Sequence, residues 1–600
     1  MKEGFRQCMA WLHTWTGLVV GWILFFVFLT GTAGYVQIEL SRWMQPERPL
    51  QQQVFPNSTE QFSKAYAFLK NDPEAAKAER WGMSFISEQR GADALTVNWS
   101  LPAAEGERYG KYQRTSLNPT TGLPTEGQEK PRETSGGHTL YRMHYALHYI
   151  PYDWAIRIIG ICTMLMFVAM ISGVITHKKI FKDFFTFRPA KGQRSWLDGH
   201  VILSVIALPF HLMITYSGLV FFLNAYMPLG VPLAYGEAEK SIDHFYAELY
   251  NSPIASNDTD NAKTMALGDE SKHFADFMPM LQQVQQQWGP GQIEGLSIYP
   301  SQGVEPARAE FYKYSSHVAR SYTTMNFNLL SGKEIVKGKT PQDTAPLIFG
   351  STILGLHVGS FASPLVRLFY VITGLIGTAM VATGLVLWTV KRRPKQMKAG
   401  KMLFGHGLVE RLNIAMVAGL PLAIAVYFWA NRLLSVGFEG RAAWEVHCLY
   451  LSLLFSLLYA LCRPIPRAWF ELLALAAVAY LSLPILNVLT TDRHLGVTLQ
   501  AQDYVLVSID IGFFMFGLLL AWAAYAVWRK RLSILKPVVK AKRVVKQQSV
   551  PKASVIVQPK PVDPTAKASS DLALDSDSAI QSDSHLASDA SKAHPTEDEP

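Results

Sequence analysis

Eight stretches of this 600-residue chain are apolar for about the 20 residues that a hydrocarbon core of about 30 Å requires, which commits the chain to a helical membrane fold. They run over 14–38, 158–176, 201–227, 368–390, 412–430, 446–462, 472–489 and 511–528. Charged residues make up 17% of the chain and gather between these runs. An even number of spans puts both termini on one side. Lys178, Lys179, Lys182, Arg188, Lys191 and Arg194 precede the third span, and Lys391, Arg392, Arg393, Lys395, Lys398 and Lys401 follow the fourth. Arg529, Lys530, Arg531 and Lys536 follow the eighth. Basic loops stay in the cytoplasm, so these loops and both termini are expected there, and the formal charge of +9 records topology rather than affinity for nucleic acid. The first run is longer than a signal-peptide core and no small-x-small cleavage site follows it, so it is expected to be retained. Cys8, Cys162, Cys448 and Cys462 all lie in or beside spans or on the cytoplasmic side, a placement that indicates neither disulfides nor a cysteine metal site.

The expected organisation is a first span within 1–38, an exported polar segment over 39–152, a second span over 153–177 and a cytoplasmic loop over 178–199. A third span over 200–227, a second exported segment over 228–366, a fourth span over 367–390 and a loop over 391–411 follow. Four closely joined spans occupy 412–528. The remainder, 529–600, is basic and then rich in Ser, Ala, Asp and Pro, and reads as a disordered cytoplasmic tail.

The first four spans carry an internal repeat. His13 precedes Gly31 by 18 residues, and His200 precedes Gly218 by the same 18. His148 lies 25 residues before Gly173 and His357 lies 27 before Gly384, while Arg157 and Arg367 sit 16 and 17 residues before those glycines. Each exported segment also has an alternating, strand-like stretch with a turn, Asn118-Pro-Thr-Thr-Gly122 in one and Asn328-Leu-Leu-Ser-Gly332 in the other. A tandem duplication over about the first 395 residues accounts for all of this, and two parallel copies about an axis along the membrane normal would set equivalent residues opposite one another.

A histidine in a span serves as a metal ligand, a proton carrier or a hydrogen-bonded packing residue. His13 and His200 fall at the cytoplasmic ends of spans 1 and 3, and His148 and His357 at the outer ends of spans 2 and 4. Two pairs, one per membrane face, suit a diheme electron wire in which each iron takes two imidazoles, a six-coordinate state fit for electron transfer rather than oxygen chemistry. His144, four residues before His148, can replace it as ligand. His211, 11 residues after His200 and on the same helical face, is an alternative deeper ligand, with Pro209 beside it predicting a kink. Arg157 and Arg367 are candidate partners for heme propionates; the plainer alternative is that they snorkel to the interface. His177 reads as interfacial, and His406, His447 and His494 have no partner in the repeat. The sequence has no Gly-x-Gly-x-x-Gly unit, Walker lysine loop, His-Glu-x-x-His or Cys-x-x-Cys.

Several motifs resemble those of the PepSY-associated transmembrane proteins, a family that includes bacterial iron-regulated inner-membrane proteins and periplasmic ferric-siderophore reductases. They are Leu12-His-Thr-Trp-Thr-Gly-Leu18, Leu147-His148, Ser172-Gly-Val-Ile-Thr-His-Lys178, Lys182-Asp-Phe-Phe-Thr-Phe-Arg-Pro189, Trp196-Leu-Asp-Gly-His200, Pro209-Phe-His211, Leu356-His-Val-Gly359 and Thr383-Gly-Leu-Val-Leu-Trp388. The resemblance implies a bacterial inner-membrane protein with a four-span core, two periplasmic PepSY-like α+β modules and, in reductase members, heme b held by histidines. His13, His148, His200, His211 and His357 fall on the family's histidine motifs. The last four spans and the tail depart from its shorter members.

Two heme b groups carrying electrons to a ferric siderophore or other ferric chelate for iron uptake, fed by quinol or by a cytoplasmic reductase, is the leading expectation. A membrane-tethered PepSY binding or regulatory protein without redox activity is the alternative, as is a transporter of iron, heme or siderophore. The absence of charge from spans 1, 2 and 4 speaks against transport.

Overall fold

The structure, a computed structural model, describes residues 2–48, 50, 57–86, 95–102, 110–124, 131–177, 182, 184–189, 191–236, 241–242, 244–245, 266–301, 306–314, 318–319, 322–335, 345–400 and 403–535. The tail beyond 535, Lys178, Lys179 and Lys401 lie outside the described residues.

The protein is mostly helical. Among the described residues, seven helices or helix pairs are long and apolar enough to cross a membrane: Gly4–Gly34, Tyr152–Thr176, Pro364–Lys398, Phe404–Leu433, Arg441–Cys462, Ile465–Thr490 and Tyr504–Lys530. An eighth crossing is a pair, Gln193–Ile206 and Leu208–Phe221, bent by 68°. The bend falls at Ala207, where Pro209 enters the first turn of the second piece and cannot donate the backbone hydrogen bond that would continue the first.

We number the principal helices α1 (Lys2–Gly34), α2 (Gln37–Trp43), α3 (Ser58–Asn71), α4 (Gly136–Tyr145), α5 (Tyr152–Thr176), α6 (Gln193–Ile206), α7 (Leu208–Phe221), α8 (Phe277–Trp288), α9 (Ala345–Val358) and α10 (Pro364–Lys398). The C-terminal extension adds α11 (Phe404–Val417), α12 (Gly419–Leu433), α13 (Arg441–Cys462), α14 (Ile465–Leu481), α15 (Leu483–Thr490) and α16 (Tyr504–Leu535).

The two polar segments do not form separate sheets. Strands β1 (Arg80–Ser84), β2 (Leu95–Ser100) and β3 (Tyr112–Leu117) come from the first, and β4 (Gly295–Tyr299), β5 (Arg308–Tyr314) and β6 (Tyr322–Asn328) from the second. All six join one antiparallel sheet in the order β3-β2-β1-β4-β5-β6. The seam is β1 against β4, with Trp81 opposite Ile298 and Ser84 opposite Gly295. A side chain on Gly295 would collide with the Met83 carbonyl, so glycine lets the two backbones pair. One face of the sheet packs its alternate residues, among them Trp81, Met83, Val97, Leu296, Phe311 and Phe327, under Phe62 and Leu69 of α3 and Leu281 and Val284 of α8.

Each half repeats the other in local detail. Asn57 caps α3 by accepting from the Thr59 amide, and Asp276 caps α8 by accepting from the Met278 amide. Asn118 accepts from the Thr120 and Thr121 amides, and Asn328 from those of Leu330 and Ser331. Gly122 and Gly332 close these turns at φ of 72° and 68°, where a side chain would be strained.

The extension clasps the helical core at two levels. On the side of the sheet, Arg42 of α2 donates to both carboxylate oxygens of Asp503, and the Trp43 indole donates to Asp510 at 2.9 Å, with Arg432 of α12 lying 3.7 Å above its ring. Arg441 and Asn431 meet Glu445, which also accepts from Thr134 just before α4. Nearer the N-terminal end of α1, the Trp22 indole donates to Asn413 of α11 at 2.9 Å, and Asn413 donates to the Leu385 carbonyl of α10 at 3.0 Å.

Candidate functional site

Histidines stand face to face at two levels of the helical core. His13 on α1 and His200 on α6 have ring centres 6.3 Å apart. His144 on α4 and His357 on α9 have ring centres 6.1 Å apart, toward the side of the sheet. The Val27 carbonyl, which binds His144, is 14 residues from His13, or about 21 Å along α1.

One device holds all four rings. His13 Nδ1 meets the Ala169 carbonyl at 2.7 Å, His200 Nδ1 the Met380 carbonyl at 3.0 Å and His144 Nδ1 the Val27 carbonyl at 2.8 Å. In each case the acceptor lies four residues, about one turn, before a glycine of a neighbouring helix: Gly173, Gly384 and Gly31. His357 Nδ1 meets Ser217 Oγ at 2.7 Å, beside Gly218. A Cβ would come within 3.0 Å of His13 from Gly173, 3.1 Å of His200 from Gly384 and 3.3 Å of His357 from Gly218, and on Gly31 it would overlap the His144 ring. Glycine inside a helix costs about 1 kcal/mol against alanine, and here it makes room for an imidazole. With Nδ1 committed to a carbonyl and carrying the proton, Nε2 of His13, His200 and His144 keeps its lone pair.

Around the first pair lies a cavity of about 330 Å³, within the range of ligand pockets, whose walls include His13, His200, Gly173 and Gly384. Lys391 and Arg392 supply cationic walls, and Trp388 and His177 also line it. His211 enters this cavity from the side of the second pair and is fully buried. It does not stand opposite His13; its Nε2 is 3.3 Å from the Thr373 carbonyl and its ring meets Phe28 edge-on. Its Nδ1 has no hydrogen-bond partner among the described residues.

His148 is a correction to the sequence reading. It is exposed and stands away from His357, in a cluster where its ring lies along Tyr450 of α13 and beside Tyr149, whose hydroxyl binds His447. Partial loss of water contact, with His447 and Arg142 nearby, holds its imidazole below the ordinary titration range. The reason is local: α4 ends at Tyr145 and Tyr149 takes φ 54°, so His148 no longer shares a helical face with His144. The arginines are likewise engaged elsewhere. Arg367 forms an ion pair with Glu39, and the Arg157 guanidinium lies 5.7 Å from the centre of the Trp154 ring.

Sequence reasoning noted His406 and Trp388 without joining them and passed over Glu410. Trp388 lies four residues after Gly384, and its ring faces that of His406 on α11 at 6.0 Å. The spacing His406, Glu410, Asn413 is a one-face helical pattern and was the available signal.

Among the described residues no three His, Cys, Asp or Glu gather as a bare-ion site. Each pair offers a metal two imidazoles, which suits an ion whose other positions are already filled. With ring centres 6.3 and 6.1 Å apart, the two imidazoles of each pair would be the residues to hold such an ion between them.

These features define a multi-pass membrane protein with paired histidines between its helices and a polar α+β layer joined to them. The chain belongs to the family described as PepSY-associated TM region, which matches residues 10–391, well over half of its length. No curated protein matches the chain.

Proposed function

We propose that the protein is a diheme transmembrane electron-transfer protein of the bacterial inner membrane that reduces a ferric siderophore or another ferric chelate in the periplasm. Its first four crossings are read as a tandem duplication carrying the two periplasmic PepSY-like halves, with both termini in the cytoplasm. The observation that carries this reading is the repeated pairing of imidazoles 6.3 and 6.1 Å apart, each seated on a helix glycine.

His13 and His200 would hold the inner heme b, and His144 and His357 the outer one. Bis-imidazole heme supplies reversible one-electron transfer. The chain's own contribution is orientation: carbonyls and Ser217 fix the rings, as partners behind a metal ligand do elsewhere. Lys391 and Arg392 supply positive charge for propionates at the inner site. A quinol or a cytoplasmic reductase would act as donor; quinol-driven reduction in inverted vesicles, compared with NADPH plus cytoplasmic extract, tells them apart.

Absorption spectroscopy of the purified protein tests the reading. A reducible Soret and α band with two hemes per chain is expected. His13→Ala or His200→Ala removes one set of bands, His144→Ala or His357→Ala removes the other, and His148→Ala keeps both. A colourless protein, or four ligand variants with full heme content, overturns it.

A further inference from the structure

We propose that His406 and Glu410 form a proton-loading site for the inner redox centre, taking up a proton from the cytoplasm when that centre gains an electron. The inference rests on the diheme reading above and goes beyond it, because neither residue belongs to the duplicated core.

Both residues are buried, at 2% and 3% exposure, on adjacent turns of α11. Buried polar groups are normally satisfied, yet neither ring nitrogen of His406 has a hydrogen-bond partner among the described residues, nor has Glu410 Oε2 or the Trp388 indole nitrogen. His406 Nε2 approaches only Glu410 Oε1, at 3.3 Å. Four unpaired polar atoms in one place are an expensive way to anchor a helix. Ionisable groups held inside a membrane protein at such cost mark proton or ion pathways.

Position gives the pair its task. Trp388 is the wall between it and the cavity of His13 and His200: one side of the indole lines the cavity and its ring faces His406 at 6.0 Å. On the other side Glu410 pairs with Arg393, which is 40% exposed and marks a route to water. Among the described residues, the charged groups around the pair are few. From α10 they are Arg393 and Arg392, the latter 4.1 Å above the Trp388 ring. From α1 the nearest side chains, Trp15 and Trp22, do not titrate. On α11 itself Arg411 turns to the Leu461 carbonyl of α13, and Arg463 and Glu471 pair with each other between α13 and α14.

The balance is simple. The donor, either a quinol giving up its two electrons one at a time and releasing its own two protons, or a reduced iron–sulfur protein, would lose one electron per step to the inner centre, while cytoplasmic water would supply one separate proton to the pair. When the electron leaves for the outer centre the proton returns. A negative charge added in a low-dielectric site is stabilised by a proton taken up nearby, here on the far side of the Trp388 ring.

The test is a redox titration of the heme-loaded full chain at several pH values. The inner midpoint potential is expected to fall by up to about 59 mV for each tenfold drop in proton concentration, with the outer one flat. Glu410→Gln and His406→Phe, the latter keeping a ring against Trp388, should flatten that slope without changing heme content. A pH-independent inner midpoint in the unaltered protein, or an unchanged slope in both variants, overturns the proposal while leaving the diheme reading intact. Redox-difference infrared spectra of the unaltered protein give a second readout that needs no variant: a carboxyl or imidazole protonation band is expected on reduction, and its absence overturns the proposal. A colourless protein overturns both readings.

Discussion

At the scale of single residues, the four glycines carry as much of the site as the four histidines. Each histidine can reach its partner on the neighbouring helix, a carbonyl or the Ser217 hydroxyl, because the facing residue has no side chain, so a methyl group should act like loss of a ligand. On the diheme proposal, Gly31→Ala is expected to displace His144 and lower the heme-to-protein ratio from two to about one, measured by pyridine hemochromogen assay; an unchanged ratio would show that the ring adapts. Gly384→Val should do the same through His200. The spacing of 18 residues in both copies made His13 and His200 legible in the sequence, since each stands near the start of an apolar run that hydropathy marks. The choice between His144 and His148 was not legible. They are one helical turn apart, and a short helix that stops at Tyr145, followed by a left-handed Tyr149, turns one inward and the other to the surface.

At the scale of elements, the extension is fastened by buried polar contacts rather than by loops alone. Arg42 and Asp503 are 8% and 0% exposed, so Arg42→Met leaves a carboxylate buried without its partner and is expected to cost about 3–5 kcal/mol. Thermal or denaturant unfolding in detergent measures it, and the double variant Arg42→Met with Asp503→Leu should recover most of the loss. Trp43 is buried against Phe428 and Phe513, and Trp43→Ala should cost about 3–5 kcal/mol by the same measurement. The spans themselves were readable because a run of about 20 apolar residues has one stable outcome in lipid. The bend at Ala207 was readable too, from Pro209. The clasp was not, because Arg42 and Asp503 are 461 residues apart and nothing in either local sequence refers to the other.

At the scale of the whole molecule, the β1–β4 seam joins the two polar segments away from the histidines. Gly295→Val is expected to open that seam, exposing the sheet to limited proteolysis while leaving the heme bands in place; coupled loss of both would mean that the sheet holds the pairs in register. Sequence alone determined the membrane-spanning character, the hairpin turns and the histidines worth watching, because hydropathy and turn chemistry are local and survive without knowledge of neighbours. Tertiary structure decided which histidine faces which, that two polar segments share one sheet, and that α11 sets His406 and Glu410 behind Trp388. Those outcomes depend on backbones and side chains meeting across tens to hundreds of residues, where close packing, glycine clearance and the pairing of buried charge select one arrangement from several that the local pattern allows.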